Sequence, residues 1–351
     1  MKPWRTIRFW VGSALVFALT GGRAFPQQPA ALPEHINEQA YRAITRGLQY
    51  LGETQNSSGS WFNAGNMGNY PTAMTALAGL ALLANGSTPR EGKFAPNLKR
   101  AVQFLLAEAE TGSNGIISSP MEGRSMHGHG FAMLFLAECL GETADEKTEE
   151  RLRNALHRAV ELTARAQSTA GGWIYTPDGN GDEGSVTVTQ IQGLRACRNA
   201  GIKVPRTTIE RAVKYLELCQ NPDGGISYSL AQRGGSRAPI SAAAVATLYA
   251  SGRYDSPMTQ KCLDYVIRTI SPSGRETYGH WFYAHLYMAQ AMYQVHDRRW
   301  DNYFTNLRDH LIGTQNGDGS WNGDGVGPVY GTAIACIVLQ LPYDYVPIFQ
   351  R

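Results

Sequence analysis

Cysteine is sparse in this sequence, and what there is stands apart. The five residues, Cys139, Cys197, Cys219, Cys262 and Cys336, form no Cys-X-X-Cys pair and each falls in a helical pattern. That spacing argues against a disulfide framework or a cysteine metal site and reads them as small buried hydrophobes. Charge is also scarce, at 17% of residues, with a formal net charge of +3. Lys2, Arg5, Arg8 and Arg23 crowd the first residues, so the rest is close to neutral and offers no footprint for nucleic acid. Long apolar runs are missing too. Residues 9–19 are apolar, about half the roughly 20 needed to cross a bilayer. Following basic residues and ending at small ones, Gly22 and Ala24, the run reads as a cleavable export leader over 1–24, and so as a secreted or periplasmic protein without a membrane span.

What is present is repetition. Gln315-Asn316-Gly317-Asp318-Gly319-Ser320-Trp321 has counterparts beginning at Gln55, Gln167 and Gln220, ending at Trp61, Trp173 and Ile226. A period of roughly 50 residues marks a repeat architecture. Each turn closes one helix and precedes another. Glycine past a helix end supplies positive φ, the Gln amide can satisfy orphan carbonyls, and Trp covers the turn. The turns at 110–116 and 271–277 lack both Gln and Trp, so they are expected to be less well tied.

Two kinds of helix alternate. One-sided patterns such as Ala40, Tyr41, Ile44 and Leu48 against Glu38, Arg42 and Arg46 recur in six places. Between them lie six segments that are apolar or small nearly all round, at 72–84, 129–140, 186–200, 240–250, 281–293 and 331–339. A helix with no polar face is covered on all sides. The alternation predicts an all-α fold, a closed α6/α6 toroid of six inner and six outer helices. It would span 37–345, between a linker at 25–36 and a tail at 346–351.

The Gln-to-Trp turns resemble the repeats of squalene and oxidosqualene cyclases. The helix alternation is similar to the wider terpenoid cyclase-like superfamily that includes protein prenyltransferase β subunits. That resemblance implies the toroid, and catalytic motifs that this sequence lacks. No Asp-X-Asp-Asp acid is present, and no cysteine follows an Asp by two places as in the prenyltransferase zinc site. The nearest acidic pair before an inner helix, Asp182-Glu183, is the stand-in for a general acid if burial raises a pKa.

In such a toroid the inner helices run the same way, so their N-termini share one rim. The candidate ligand-binding residues there are His127, His129, Arg237, Tyr278, His280, Trp281, Tyr283 and Tyr330, a mixture of aromatic walls and polar groups. Thr72, Ser185 and Ser241 read as helix caps. His127 and His129 are the candidate metal ligands, with zinc the metal they suit. The Asp178-Gly179-Asn180-Gly181-Asp182 run and the acidic turn with Asn316, Asp318, Asn322 and Asp324 have calcium-like spacing but read as solvated turns. No cofactor is expected. The function read from this pattern is binding of an apolar or isoprenoid-like small molecule, or of a peptide segment, at the cavity mouth. The alternative is a divergent terpenoid cyclase-like enzyme using Asp182 or Glu183. A carbohydrate-active enzyme ranks last, because carboxylates are few at the inner-helix starts.

Overall fold

The structure is a computed structural model that describes residues 32–350, except 63, 64 and 274–278. The leader assigned to 1–24 and the rim residue Tyr278 lie outside the described residues.

Twelve α-helices appear among the described residues. The odd-numbered set is α1 (Glu38–Thr54), α3 (Ala95–Thr111), α5 (Glu146–Arg165), α7 (Arg206–Cys219), α9 (Pro257–Thr269) and α11 (Arg298–Thr314). The even-numbered set is α2 (Pro71–Leu83), α4 (Ser125–Cys139), α6 (Gly184–Asn199), α8 (Ala238–Ala250), α10 (Trp281–Val295) and α12 (Pro328–Leu339). Every residue of α2 and α8 is buried, whereas α1 buries only the stripe Ala40, Ala43, Ile44, Gly47, Leu48 and Leu51. The even helices pack in the order α2, α4, α6, α8, α10, α12 and back to α2. They form a closed inner ring, and the one-sided helices form the outer one.

The Gln-to-Trp turn works as a staple. Gln55 Nε2 donates to the carbonyls of Gly59 in its own turn and Asn97 in the next outer helix, at 2.8 and 2.9 Å. Gln167 does the same to Gly171 and Thr208, and Gln220 to Gly224 and Met258. Gln315 reaches Gly319 and, in the first helix of the chain, Ala43, so the same device closes the ring. At Gly59, φ is +91° and an added Cβ would stand 2.3 Å from the Arg100 carbonyl oxygen, which excludes any side chain there. Trp61, Trp173 and Trp321 are buried and donate their indole N–H to the carbonyls of Leu51, Thr163 and Leu311. Their backbone N–H groups donate to hydroxyls of Thr75, Thr187 and Thr332 on the following inner helix.

The turn at 110–116 is tied by another route. Gly115 keeps φ at +95°, Arg158 and Arg165 donate to the carbonyls of Ala109 and Asn114, and the Ile117 N–H donates to His129 Nδ1 at 3.1 Å. His129 therefore stands where other units use a hydroxyl, Thr75, Thr187, Ser241 or Thr332. The expected looseness of this turn is not found.

The two ends of the ring differ. At the C-terminal ends of the inner helices, Gly86, Gly141, Gly201 and Gly252 end α2, α4, α6 and α8 with φ between +72° and +91°. The chain after α12 then folds back over this end. Gln340 Nε2 donates to Ala81 of α2, Gln294 of α10 donates to the Phe349 carbonyl, and Ile348 and Phe349 are buried. Within the 346–350 segment Val346, Ile348 and Phe349 pack into the core, while Pro347 and Gln350 stay exposed. Halfway along the ring, Gln192 Nε2 of α6 donates to Gln290 Oε1 of α10 at 3.0 Å, both side chains being buried. α8 lies between these helices in the ring, so the bond links two inner helices that are not consecutive.

Candidate functional site at the N-terminal mouth

The mouth begins with the repeat itself. The N–H of Glu183 donates to the carbonyl of Trp173, so the buried tryptophan of the third turn positions the residue that caps α6. Glu183 is 2% exposed. Its Oε2 accepts from the Val186 N–H at 2.9 Å and from the Ser185 hydroxyl at 2.6 Å. Burial raises its pKa, against the pull of those donors and of Arg124. On the other side of Ser185, His127 Nε2 lies 3.0 Å from the hydroxyl. Burial, with the Arg124 charge, depresses the His127 pKa to about 4, so the imidazole is neutral near pH 7. With Glu183 ionised, the Ser185 proton points at the carboxylate and His127 Nε2 is the donor to Ser185. Arg124 stacks over the Tyr175 ring at 4.5 Å, and the Tyr175 and Tyr228 hydroxyls are hydrogen-bonded to each other.

Across the mouth stand three tyrosines from α10 and α12. Tyr283 reaches the Ser185 carbonyl with its hydroxyl at 3.5 Å, and its ring meets that of Tyr287 edge-on at 4.9 Å. Burial, then the neighbouring Tyr287, Glu183 and Tyr330, holds the Tyr283 phenol far above its ordinary pKa. Tyr330 is raised by burial, Asp324 and Tyr287. Beside them, Asp324 accepts the Phe282 N–H at 2.7 Å and so caps α10 from the loop before α12. Its pKa is raised by burial.

Sequence reading missed Asp324 as a cap, and it missed Glu122. Glu122, 6% exposed, accepts the Thr72 N–H at 2.6 Å and the Ser118 hydroxyl at 3.2 Å. Burial pushes its pKa up to about 7. Carboxylates, two buried and one half-buried, therefore cap α2, α6 and α10, every second inner helix. Carboxylates at the mouth are less scarce than the sequence suggested. Thr72 and Ser241 do not cap their own helices: they accept from Ser119 and Ile226 of the incoming loops.

Several expected rim residues sit elsewhere. His129 is fully buried against α5, with Nδ1 taken by Ile117 and Nε2 3.0 Å from the Thr163 hydroxyl, so neither nitrogen faces the mouth. Trp281 is 5% exposed and packs between the rings of His285 and His310, towards α11. Arg237 and His280 are exposed at the starts of α8 and α10, and His280 has a left-handed φ of +55°. Asp182 accepts the Leu230 N–H at 2.8 Å and ties two rim loops together. Among the described residues no three His, Cys, Asp or Glu side chains come together as a metal site. With both His129 nitrogens engaged by the protein, the His127 and His129 pair does not converge on a metal. The calcium-like spacing does not converge either. Asp178 bonds Thr176 and Asn180, Asp182 bonds Leu230, and Asp318 bonds Ser320 while Asp324 turns to α10.

These features match known folds. A model of the squalene-hopene cyclase C-terminal domain matches residues 133–296. No curated protein matches the sequence. Among solved structures, the type II terpene cyclase MstE from Scytonema superposes with a TM-score of 0.61 at 16% identity, covering 88% of this chain and 100% of that one. A protein from Actinoplanes gives 0.60 at 18%, covering 87% and 99%. An inactive variant of the GH76A α-1,6-mannanase of Salegentibacter sp. HEL1_6, in complex with α-1,6-mannotriose, gives 0.61 at 11%, also covering 87% and 99%. At these identities the likeness is one of fold. The chain is a squalene-cyclase-like α/α toroid, and the same fold carries both terpene and glycan chemistry in those neighbours.

Proposed function

We propose that this protein is an exported binding toroid that takes an apolar, isoprenoid-like molecule at its N-terminal mouth. The observation that carries this reading is the exposure of large apolar side chains on loops that enter inner helices. Phe62 and Met67, on the loop entering α2, are 41% and 50% exposed, and Met121, on the loop entering α4, is 59% exposed. Exposed apolar side chains of this size on such loops are candidate contacts for an apolar ligand. Export rests on the basic and apolar pattern of the first residues. No helix among the described residues is long and apolar enough to cross a membrane.

The test is the double variant Phe62→Ser with Met121→Ser, titrated with C20 prenyl compounds. Burying each side chain contributes about 1.5–3 kcal/mol, so affinity falls more than tenfold while the melting temperature holds. Unchanged affinity overturns the reading.

One observation favours a second reading, acid catalysis by Glu183. Its raised pKa and burial are what a general acid needs, and the aromatic rings around it suit a cationic intermediate. Product formation from a C20 polyene that disappears in Glu183→Gln would make this the leading function.

A further inference from the structure

Away from the mouth, a small, partly open pocket lies at the C-terminal end, where the chain after α12 turns back over the end of α2. Ile337, Leu341, Val346 and Phe349 give it apolar walls, and Gln340, Asp344 and Tyr345 add polar groups and a ring. Gln340 is 1% exposed. Its Nε2 donates to the carbonyls of Ala81 and Cys336 at 3.0 and 2.9 Å, which fixes the amide and leaves Oε1 an acceptor without a partner. A buried acceptor left unpaired is costly, and a ligand that brings a donor into the pocket recovers that cost.

The rim is acidic and aromatic. Asp344 is exposed at a left-handed φ of +59°, and its Oδ1 accepts the Tyr293 hydroxyl at 3.1 Å. That backbone conformation is uncommon outside glycine, and here it presents a carboxylate at the pocket. Tyr345 is 56% exposed, and its ring lies nearly parallel to that of Tyr343, 6.2 Å away and tilted by 16°. Tyr41, 46% exposed, stands close enough to act on the Tyr343 phenol, whose pKa is raised by burial and then by Tyr41 and Tyr345. Among the described residues that line the pocket there is no Lys, Arg or His. Apolar walls, a lone acceptor, a carboxylate and exposed rings together suit a cation that carries N–H donors on an alkyl stem.

We propose, independently of the function assigned to the mouth, that this pocket binds a small primary alkylamine in its ammonium form. The stem lies on Ile337, Leu341, Val346 and Phe349, an N–H donates to Gln340 Oε1, and Asp344 and the Tyr345 ring balance the charge. The experiment titrates n-pentylammonium, 1-pentanol and tetramethylammonium into the purified protein and follows binding by calorimetry. Pentylammonium binds roughly tenfold or more tightly than either other probe, because pentanol lacks the charge and tetramethylammonium lacks the donors. Asp344→Asn keeps the side-chain shape, tolerates the left-handed backbone and retains an acceptor for Tyr293, so it melts like the wild type while pentylammonium affinity falls roughly tenfold. Tyr345→Ala weakens the same probe, and Tyr283→Ala, at the mouth, does not. Equal affinity for pentanol or tetramethylammonium, undiminished binding in Asp344→Asn, loss in Tyr283→Ala, or binding of none of the three would each overturn the proposal and leave the function proposed for the mouth untouched.

Discussion

The two ends of the inner ring are made from the same helices and are built to different standards. At the C-terminal end, glycines stop the helices and buried Ile348 and Phe349 cover the opening. At the N-terminal end, buried Glu122 and Glu183 and half-buried Asp324 cap helices, and tyrosines crowd together. The first end is closed by apolar packing, with the Oε1 atoms of Gln294 and Gln340 left unpaired beneath the cover. The second gathers acids, hydroxyls and aromatic rings at the helix starts, the composition of a binding surface.

The comparison breaks most visibly where the repeat holds both ends. Trp173→Ala removes a fully buried indole and its bond to Thr163, and loses about 3–5 kcal/mol in a denaturant melt. Because Trp173 also fixes Glu183, this variant should lose ligand binding as well. Phe349→Ala, in the cover of the other end, is expected to lose a similar amount of stability and leave binding unchanged, and the two together separate scaffold from site.

The buried acids sharpen the comparison through pH. Glu122 at the mouth and Glu138 at the base are both pushed up to about 7 by burial from an ordinary 4.5. Glu138 is opposed by the N–H of Ile348, in the covering segment. Between pH 4.5 and 7 the folded state holds protons that the unfolded state has lost, so stability falls as pH rises through this window. Each acid contributes up to about 3 kcal/mol of that fall. Glu122→Gln and Glu138→Gln should each remove part of the slope in melts recorded from pH 4 to 8, and a slope unchanged in either variant would contradict the assignment. The smallest effect belongs to the staple. Gln315→Ala loses three bonds, the two donated by Nε2, including the one that closes the ring onto Ala43, and the one Oε1 accepts from Arg46, and costs about 1–3 kcal/mol.

The fold was legible because it is written locally. One-sided and all-round helices differ in composition, and the Gln-to-Trp turn is a contiguous signal. The site was legible only in part. Helix starts pointed to the mouth and to Glu183, Tyr283, Tyr330 and His127. They could not reveal Glu122 or Asp324, whose bonds to Thr72 and Phe282 span 50 and 42 residues and leave no local pattern. His129 misled for the opposite reason. In sequence it is a histidine at a helix start, yet in space it replaces the hydroxyl residue of the other units and faces the core. Trp281, in the first turn of α10, likewise faces the outer ring.

The most direct test of the mouth as the binding end is native mass spectrometry with a C20 prenyl alcohol. Wild type and Phe349→Ala should each retain one equivalent, and the double variant Tyr283→Ala with Tyr330→Ala should retain none. Retention by the mouth variant together with loss in Phe349→Ala would place the ligand at the other end and contradict the account.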